Sequence, residues 1–163
     1  MNALTLLKQD HDEVKKLLSQ LDDTTERAVV TREKLFAQVK RELAIHETIE
    51  EEILYPAFKE QAKLKDIVLE GYEEHHVIDL VVNELSDLPT DAVTWAAKLS
   101  VMKENVEHHI EEEEGEMFKK ARTLFERAEL EQLGTRLEAR KKQLQAEATE
   151  ELDRTRDTAL FGN

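Results

Sequence analysis

Cysteine is absent from the chain, which removes disulfides, thiolate zinc sites, iron–sulfur clusters and cysteine nucleophiles together. Any metal site must therefore be built from imidazole and carboxylate. Glycine and proline are scarce, four and two among 163 residues, and few segments alternate with period two, so long amphipathic helices are favoured over sheets. Excess positive charge is lacking as well. The formal net charge of −14 argues against binding nucleic acid or an anionic membrane, because both attract basic patches. No apolar run approaches the roughly 18 residues of a membrane span, and Met1-Asn2-Ala3-Leu4-Thr5 lacks the basic start and apolar stretch of a secretory signal. The expected location is the cytoplasm, and the length is that of one domain.

What the chain does contain is charge, 37% of its residues, laid over apolar residues that recur in steps of three and four. Leu4, Leu7, Val14, Leu18 and Leu21 form the stripe of a first helix, with His11 in the place between Leu7 and Val14. Asp22 to Thr25 is a turn. A second stripe runs Leu35, Val39, Leu43, His46, Glu50, Ile53, Ala57, and Pro56 is expected to kink or end that helix, with a short continuation to about Ala62. The third stripe is Val68, Tyr72, His75, Ile78, Val82, Leu85. After the turn Ser86 to Asp91, in which Thr90 is the expected N-cap, the fourth runs Leu99, Met102, Val106, His109, Glu113, Met117, Leu124. Gly115 weakens that helix by ~1 kcal/mol relative to Ala.

The halves repeat: 35 residues separate His11 from His46, and 34 separate His75 from His109. The expected architecture is all-α, an up-down-up-down four-helix bundle made from a duplicated helical hairpin over residues 1–128. A fifth amphipathic segment over 129–152 carries a thin stripe, Leu130, Leu133, Leu137, Leu144 and Leu152, broken by Arg140 and Lys141. It either caps the bundle or binds another chain. Residues 153–163 show no period and are expected to form a loose tail, and the choice between monomer and dimer stays open.

A His-x-x-x-Glu pair places an imidazole and a carboxylate on one face of a helix. Taken singly, such a pair in so acidic a chain is an exposed hydrogen-bonded couple. Here it recurs, as His46/Glu50 and His109/Glu113, and both copies fall on the apolar stripes. A buried carboxylate without a partner costs several kcal/mol, a conflict that a dinuclear metal centre removes. The candidate ligands are His11, His46, Glu50, His75, His109 and Glu113, with the two glutamates as bridges and the imidazoles as terminal ligands. His76 and His108 lie about 100° round their helices; each has a surface or supporting role unless a rotated helix makes one a fifth histidine ligand. Tyr72 is either a core aromatic or a phenol that donates a hydrogen bond to a metal-bound ligand. Trp95, Phe36 and Phe118 are packing residues, and the remaining acids of Glu50–Glu52 and Glu111–Glu114 are a solvated face. Two ions sharing carboxylates suit iron, which adds redox chemistry, with manganese or zinc behind it. Open positions would take O₂, H₂O₂ or NO.

At these residues, over about Leu4 to Leu124, the chain resembles the hemerythrin-like, HHE-type cation-binding family. The likeness includes the motif tails, Glu50-Glu51-Glu52-Ile53-Leu54-Tyr55-Pro56 and Glu113-Glu114-Gly115-Glu116-Met117-Phe118. The resemblance implies a non-haem di-iron site with an oxo or hydroxo bridge inside a four-helix bundle, and by matching positions it makes the same six residues the ligands. Oxygen-carrying hemerythrins use five histidines, with His-x-x-x-His and then Asp in the second half. This chain repeats His-x-x-x-Glu instead and offers no such Asp. The doubled pattern is more similar to bacterial hemerythrin-like proteins associated with peroxide decomposition and with oxidative or nitrosative stress, and to eukaryotic iron- and oxygen-sensing domains. It favours catalase-like peroxide chemistry over reversible O₂ carriage, with iron, O₂ or NO sensing or storage through the C-terminal helix as the alternative.

Overall fold

In the computed structural model, which describes residues 1–161, the duplicated hairpins form four antiparallel rods. The first is α1, Ala3–Asp22, started by Asn2, whose side-chain oxygen accepts the Thr5 amide at 3.0 Å. The second is α2, Val29–Ile49, which passes through a π-helical segment, Glu50–Leu54, into α3, Tyr55–Lys59. The third is α4, Lys65–Ser86. The fourth is α5, Trp95–Glu112, which passes through a second π-helical segment, Glu113–Met117, into α6, Phe118–Leu124. A fifth helix, α7, Arg127–Phe161, lies outside the bundle against α1 and α2. Among the described residues there is no strand, and no helix is long and apolar enough to cross a membrane.

The apolar stripes meet in two separate cores. One contains Leu4, Leu7, Leu54, Tyr55, Phe58, Val68, Met117 and Phe118; the other contains Val14, Leu18, Leu43, Ile78, Val82, Trp95, Leu99 and Val106. Along every rod the polar position on the stripe falls where one core gives way to the other: Leu7–His11–Val14, Leu43–His46–Glu50–Leu54, Val68–His75–Ile78 and Val106–His109–Glu113–Met117. A layer of imidazole and carboxylate thus lies at the same level in all four rods, sealed by hydrocarbon above and below.

The two π-helical segments change which residues face inward. Each closes with a bond from the amide five residues on, Tyr55 to the Glu50 carbonyl and Phe118 to the Glu113 carbonyl. In such a turn residue i+5, not i+4, lies beneath residue i. The sequence stripe placed Ile53 and Ala57 in the core; both are only partly buried, while Leu54, Tyr55 and Phe58 are wholly buried. Leu124 is likewise displaced to the core margin, and Phe118 and Ala121 take its place. Pro56 is not a necessary cause, because the second segment forms with Lys119 at the matching position.

Thr90 is not the cap of α5, which starts at Trp95. It is buried in the turn, and its carbonyl accepts Arg32 Nη1 at 2.7 Å. Arg32, itself buried, also donates Nε to Thr24 Oγ1 at 2.9 Å and lies 4.9 Å over the Trp95 ring, so one guanidinium ties together both hairpin turns. The fifth helix begins two residues before the expected Glu129, because the Glu129 carboxylate accepts the Glu126 amide at 2.7 Å. Leu130, Leu133 and Leu137 are buried and Leu144 is partly buried, whereas Leu152 is 61% exposed. The residues that break the stripe are ion-pair partners: Arg140 reaches Glu52 at 2.7 and 3.1 Å, and Lys141 reaches Asp10. The expected loose tail is helical as far as Phe161, with residues 162–163 outside the described residues. Its lack of period reflects the absence of a buried face, not of a helix: residues 151–160 are all exposed and contain neither glycine nor proline.

Candidate metal centre

Six side chains converge in the polar layer, each at most 4% exposed: His11, His46, Glu50, His75, His109 and Glu113. His11 Nε2 lies 3.2 Å from His46 Nε2, and His75 Nε2 lies 3.1 Å from His109 Nε2. The carboxylates span the two pairs. Glu50 places Oε1 3.3 Å from His46 Nε2 and Oε2 3.3 Å from His75 Nε2; Glu113 places Oε2 3.2 Å from His11 Nε2 and Oε1 3.6 Å from His109 Nε2. Each glutamate thus lies near both histidine pairs, and the ligand atoms that are all within 4.8 Å of one another are those of His11, His46, Glu50 and Glu113 on one side and of Glu50, His75 and His109 on the other.

The outer nitrogens decide the tautomers. His11 Nδ1 donates to Glu114 Oε1 at 2.9 Å, His75 Nδ1 to Glu51 Oε1 at 2.8 Å and His109 Nδ1 to Glu74 Oε1 at 3.1 Å; His46 Nδ1 faces Asp10 Oδ2 at 3.6 Å, beyond hydrogen-bond range. A proton held on Nδ1 leaves the Nε2 lone pair pointing at the centre. Paired lone pairs about 3 Å apart repel each other unless a cation lies between them. Both oxygens of Glu50 and Glu113 Oε2 are buried with no protein hydrogen-bond partner, which also calls for a cation. The donor set, four imidazole nitrogens and the three unpartnered oxygens of Glu50 and Glu113, fits a metal site.

Charge in the metal-free layer is unevenly held. Burial, followed by the Glu113 charge, pushes the Glu50 carboxyl well above the usual carboxylate range. Burial opposes the Glu113 carboxylate too, but His109, His11 and His46 outweigh it and hold that group low. Burial lowers His46 to about 4 and also lowers His75, whose neighbour His109 adds to the effect. His109 is raised: burial works against its charge, and Glu113 and Glu74 overcome that.

In the sequence Glu51 and Glu114 belong to an acidic run that reads as solvated face, and Asp10 and Glu74 lie off the apolar stripes. Their signal is adjacency within the repeat. Asp10 and Glu74 immediately precede His11 and His75, and Glu51 and Glu114 immediately follow Glu50 and Glu113. Each reaches not its neighbour's ring but a histidine on an adjoining rod. His76 and His108 do not enter the layer; both are exposed, and His108 Nε2 lies 3.3 Å from Glu112 on the surface.

Of the two tyrosines near the layer, Tyr55 is the one whose hydroxyl meets it. Tyr72 is partly buried, edge-on to the Tyr55 ring at 5.0 Å and beneath Lys59. The Tyr55 hydroxyl donates to Glu113 Oε1 at 2.7 Å and lies 3.3 Å from His75 Nε2, with its ring stacked on His75 at 5.3 Å. Burial and the nearby glutamates push its phenol well above 10. The matching residue of the other half, Phe118, stacks on His11 at 6.0 Å without a hydroxyl, so the two ends of the layer are chemically different. Gly71 makes room: a Cβ there would lie 2.6 Å from Tyr55 Oη and 2.9 Å from Cζ. Gly71→Ala is expected to swing the ring off Glu113 and to lower stability by about 1–3 kcal/mol. Tyrosine ultraviolet absorbance and denaturant melts of the metal-free protein check this, and an unshifted spectrum with unchanged stability would contradict it.

The chain matches the family described as Hemerythrin HHE cation binding domain over residues 2–121. A crystal structure of a hemerythrin HHE cation binding domain-containing protein from Mycobacterium kansasii superposes with a TM-score of 0.80 at 26% identity, covering 100% of this chain and 95% of that one. A DNA nickase from Nostoc sp. is 23% identical over 145 residues, 89% of this chain but 40% of the nickase, so the chain spans about two fifths of that relative's length.

Proposed function

Because the chain belongs to the Hemerythrin HHE cation binding domain family, we propose that its His/Glu layer holds two iron ions and binds or decomposes small oxidants, with catalase-like turnover of H₂O₂ ahead of reversible O₂ carriage. The observation that carries the proposal is the facing of four Nε2 lone pairs in two close pairs, spanned by two buried carboxylates. Iron, when bound, would supply the electron exchange that peroxide chemistry requires. His11, His46, Glu50, His75, His109 and Glu113 would hold it. Glu114, Glu51 and Glu74 keep three of the imidazoles turned correctly. Tyr55 holds a proton at Oη, next to Glu113 and His75, and the Leu54–Phe118 and Val14–Val106 cores exclude bulk water from both sides.

Elemental analysis of protein purified without chelator, with oxygen evolution on peroxide, tests the proposal. Two irons per chain with turnover are expected. A chain that takes up no metal even after anaerobic addition of ferrous iron would overturn it. Acid should reverse loading, since ligation needs neutral imidazole. Glu113 and Glu74 favour the protonated form of His109, whereas burial keeps His46 neutral down to about pH 4. Metal is therefore expected to be retained at neutral pH and released as the solution is made acidic, as dialysis at stepped pH would show; full retention at pH values where His46 itself protonates, about 4, would contradict it.

Iron, O₂ or NO sensing, or storage, is the alternative, and one observation favours it. Arg140 and Lys141 join α7 to Glu52, two residues from Glu50, and to Asp10, next to His11. Metal-dependent hydrogen-exchange protection of α7 without peroxide turnover would select this alternative.

A further inference from the structure

Beside the layer, on the side of the Val14 core, is a cavity of about 10 Å³, roughly the space one water-sized molecule needs. His11, His46 and His109 border it, and each rod adds an apolar residue: Val14, Leu43, Ile78 and Val106. The duplication makes this lining pairwise. When His46 is matched with His109, Leu43 falls on Val106 and Val14 on Ile78, apolar with apolar. One pair breaks the pattern, because Ile110 is matched by Glu47, and both line the cavity.

Glu47 is 6% exposed, and its Oε1 is buried with no protein hydrogen-bond partner. An isoleucine here would complete an apolar pocket and leave no polar atom unpaired. A carboxyl-bearing residue instead joins a lining whose other non-histidine residues are hydrocarbon, beside three histidines of the layer and with Asp79 as a further neighbour. A buried polar atom of this kind needs a partner, and a cavity able to admit one small molecule lies against it.

We propose that this cavity is a ligand pocket selective for small hydrogen-bonding molecules, and that Glu47 is its specificity-determining residue, bonding the end of a bound H₂O₂ that points away from the histidines. The inference rests on the two-metal function above. Hydrogen peroxide carries two O–H groups and can bond to Glu47 while its other oxygen lies at the centre. NO carries no O–H group and gains much less from the carboxyl. Glu47 thus separates two molecules of similar size by hydrogen bonding, where shape alone separates them poorly.

The test compares the iron-loaded wild type with Glu47→Gln, which keeps a hydrogen-bonding group, and Glu47→Ile, which copies Ile110. Three readings are taken: iron content, the peroxide concentration that half-saturates the optical change, and the NO dissociation constant of the ferrous protein. Iron content is expected to be equal in all three proteins. Glu47→Ile is expected to raise the half-saturating peroxide concentration about tenfold, the worth of one buried hydrogen bond, and to leave NO affinity unchanged or tighter. Glu47→Gln should fall between the two. Equal iron content with peroxide and NO shifted by the same factor, or with neither shifted, overturns the role of Glu47 and leaves the metal centre standing. Failure of the wild type to bind iron overturns the metal centre and this inference with it.

Discussion

Replacing Glu50 by methionine is expected to abolish two-metal loading and yet raise the melting temperature of the metal-free protein. Glu50 is wholly buried, neither of its oxygens has a protein hydrogen-bond partner, and burial together with Glu113 holds its carboxyl well above the usual range. It serves a bound cation and burdens the fold without one. Exchanging a buried ionisable group for an apolar one of similar volume stabilises proteins by about 1–4 kcal/mol in comparable settings, which is several degrees for a domain of this size. The loaded wild type should still melt above the loaded variant, because a ligand that binds only the folded state adds stability by mass action. Calorimetry with and without metal, alongside elemental analysis, checks both signs. A variant that retains two metals would remove Glu50 from the ligand set, and a lower melting point without metal would mean that the carboxyl supports the fold by itself.

Gly134→Ala is expected to loosen α7 from the bundle. In an exposed helix this exchange stabilises by about 1 kcal/mol. Here an added Cβ would overlap the Met1 carbonyl oxygen and lie 2.8 Å from both Ala3 N and Asn2 C. These are backbone atoms at the capped start of α1, so no side chain can turn aside, and one of the two helices must move. Leu130, Leu133 and Leu137 are the side chains whose burial depends on that contact, and fully burying a leucine stabilises by about 1.5–3 kcal/mol. A net loss of about 2 kcal/mol or more is expected, with faster hydrogen exchange throughout α7. Gly115→Ala is the control, since its Cβ would meet nothing within 4 Å and should leave stability equal or higher. If Gly134→Ala melts with the wild type, α7 does not pack on α1 as closely as described.

Most of the buried polar layer was legible in the sequence because a helix converts spacing into direction. A histidine on an apolar stripe must face the core, and a glutamate four residues later must face it too, so His11, His46, Glu50, His75, His109 and Glu113 followed from period and repetition, as did the choice of His75 and His109 over His76 and His108. The all-helical architecture followed from the same stripes. Glu51, Glu74 and Glu114 were not legible. On their own helices they lie beside the stripe, and only the approach of a neighbouring rod turns a flank carboxylate into a partner for an imidazole. The same holds for Arg140 and Lys141, which break the stripe of α7 and became ion-pair partners only when that helix lay against Glu52 and Asp10.

Tyr55 marks the boundary most clearly. By α-helical count it points away from Glu50, and Tyr72 is the better-placed phenol. The sequence by itself determined which residue types form the layer and at what height on each rod, because those depend on a local period. Tertiary structure alone decided the widened turns at Glu50–Leu54 and Glu113–Met117. There the backbone gives up the regular i to i+4 bond so that packing between rods can be met, and that shift of one residue brought Tyr55 under the glutamates and left Tyr72 outside.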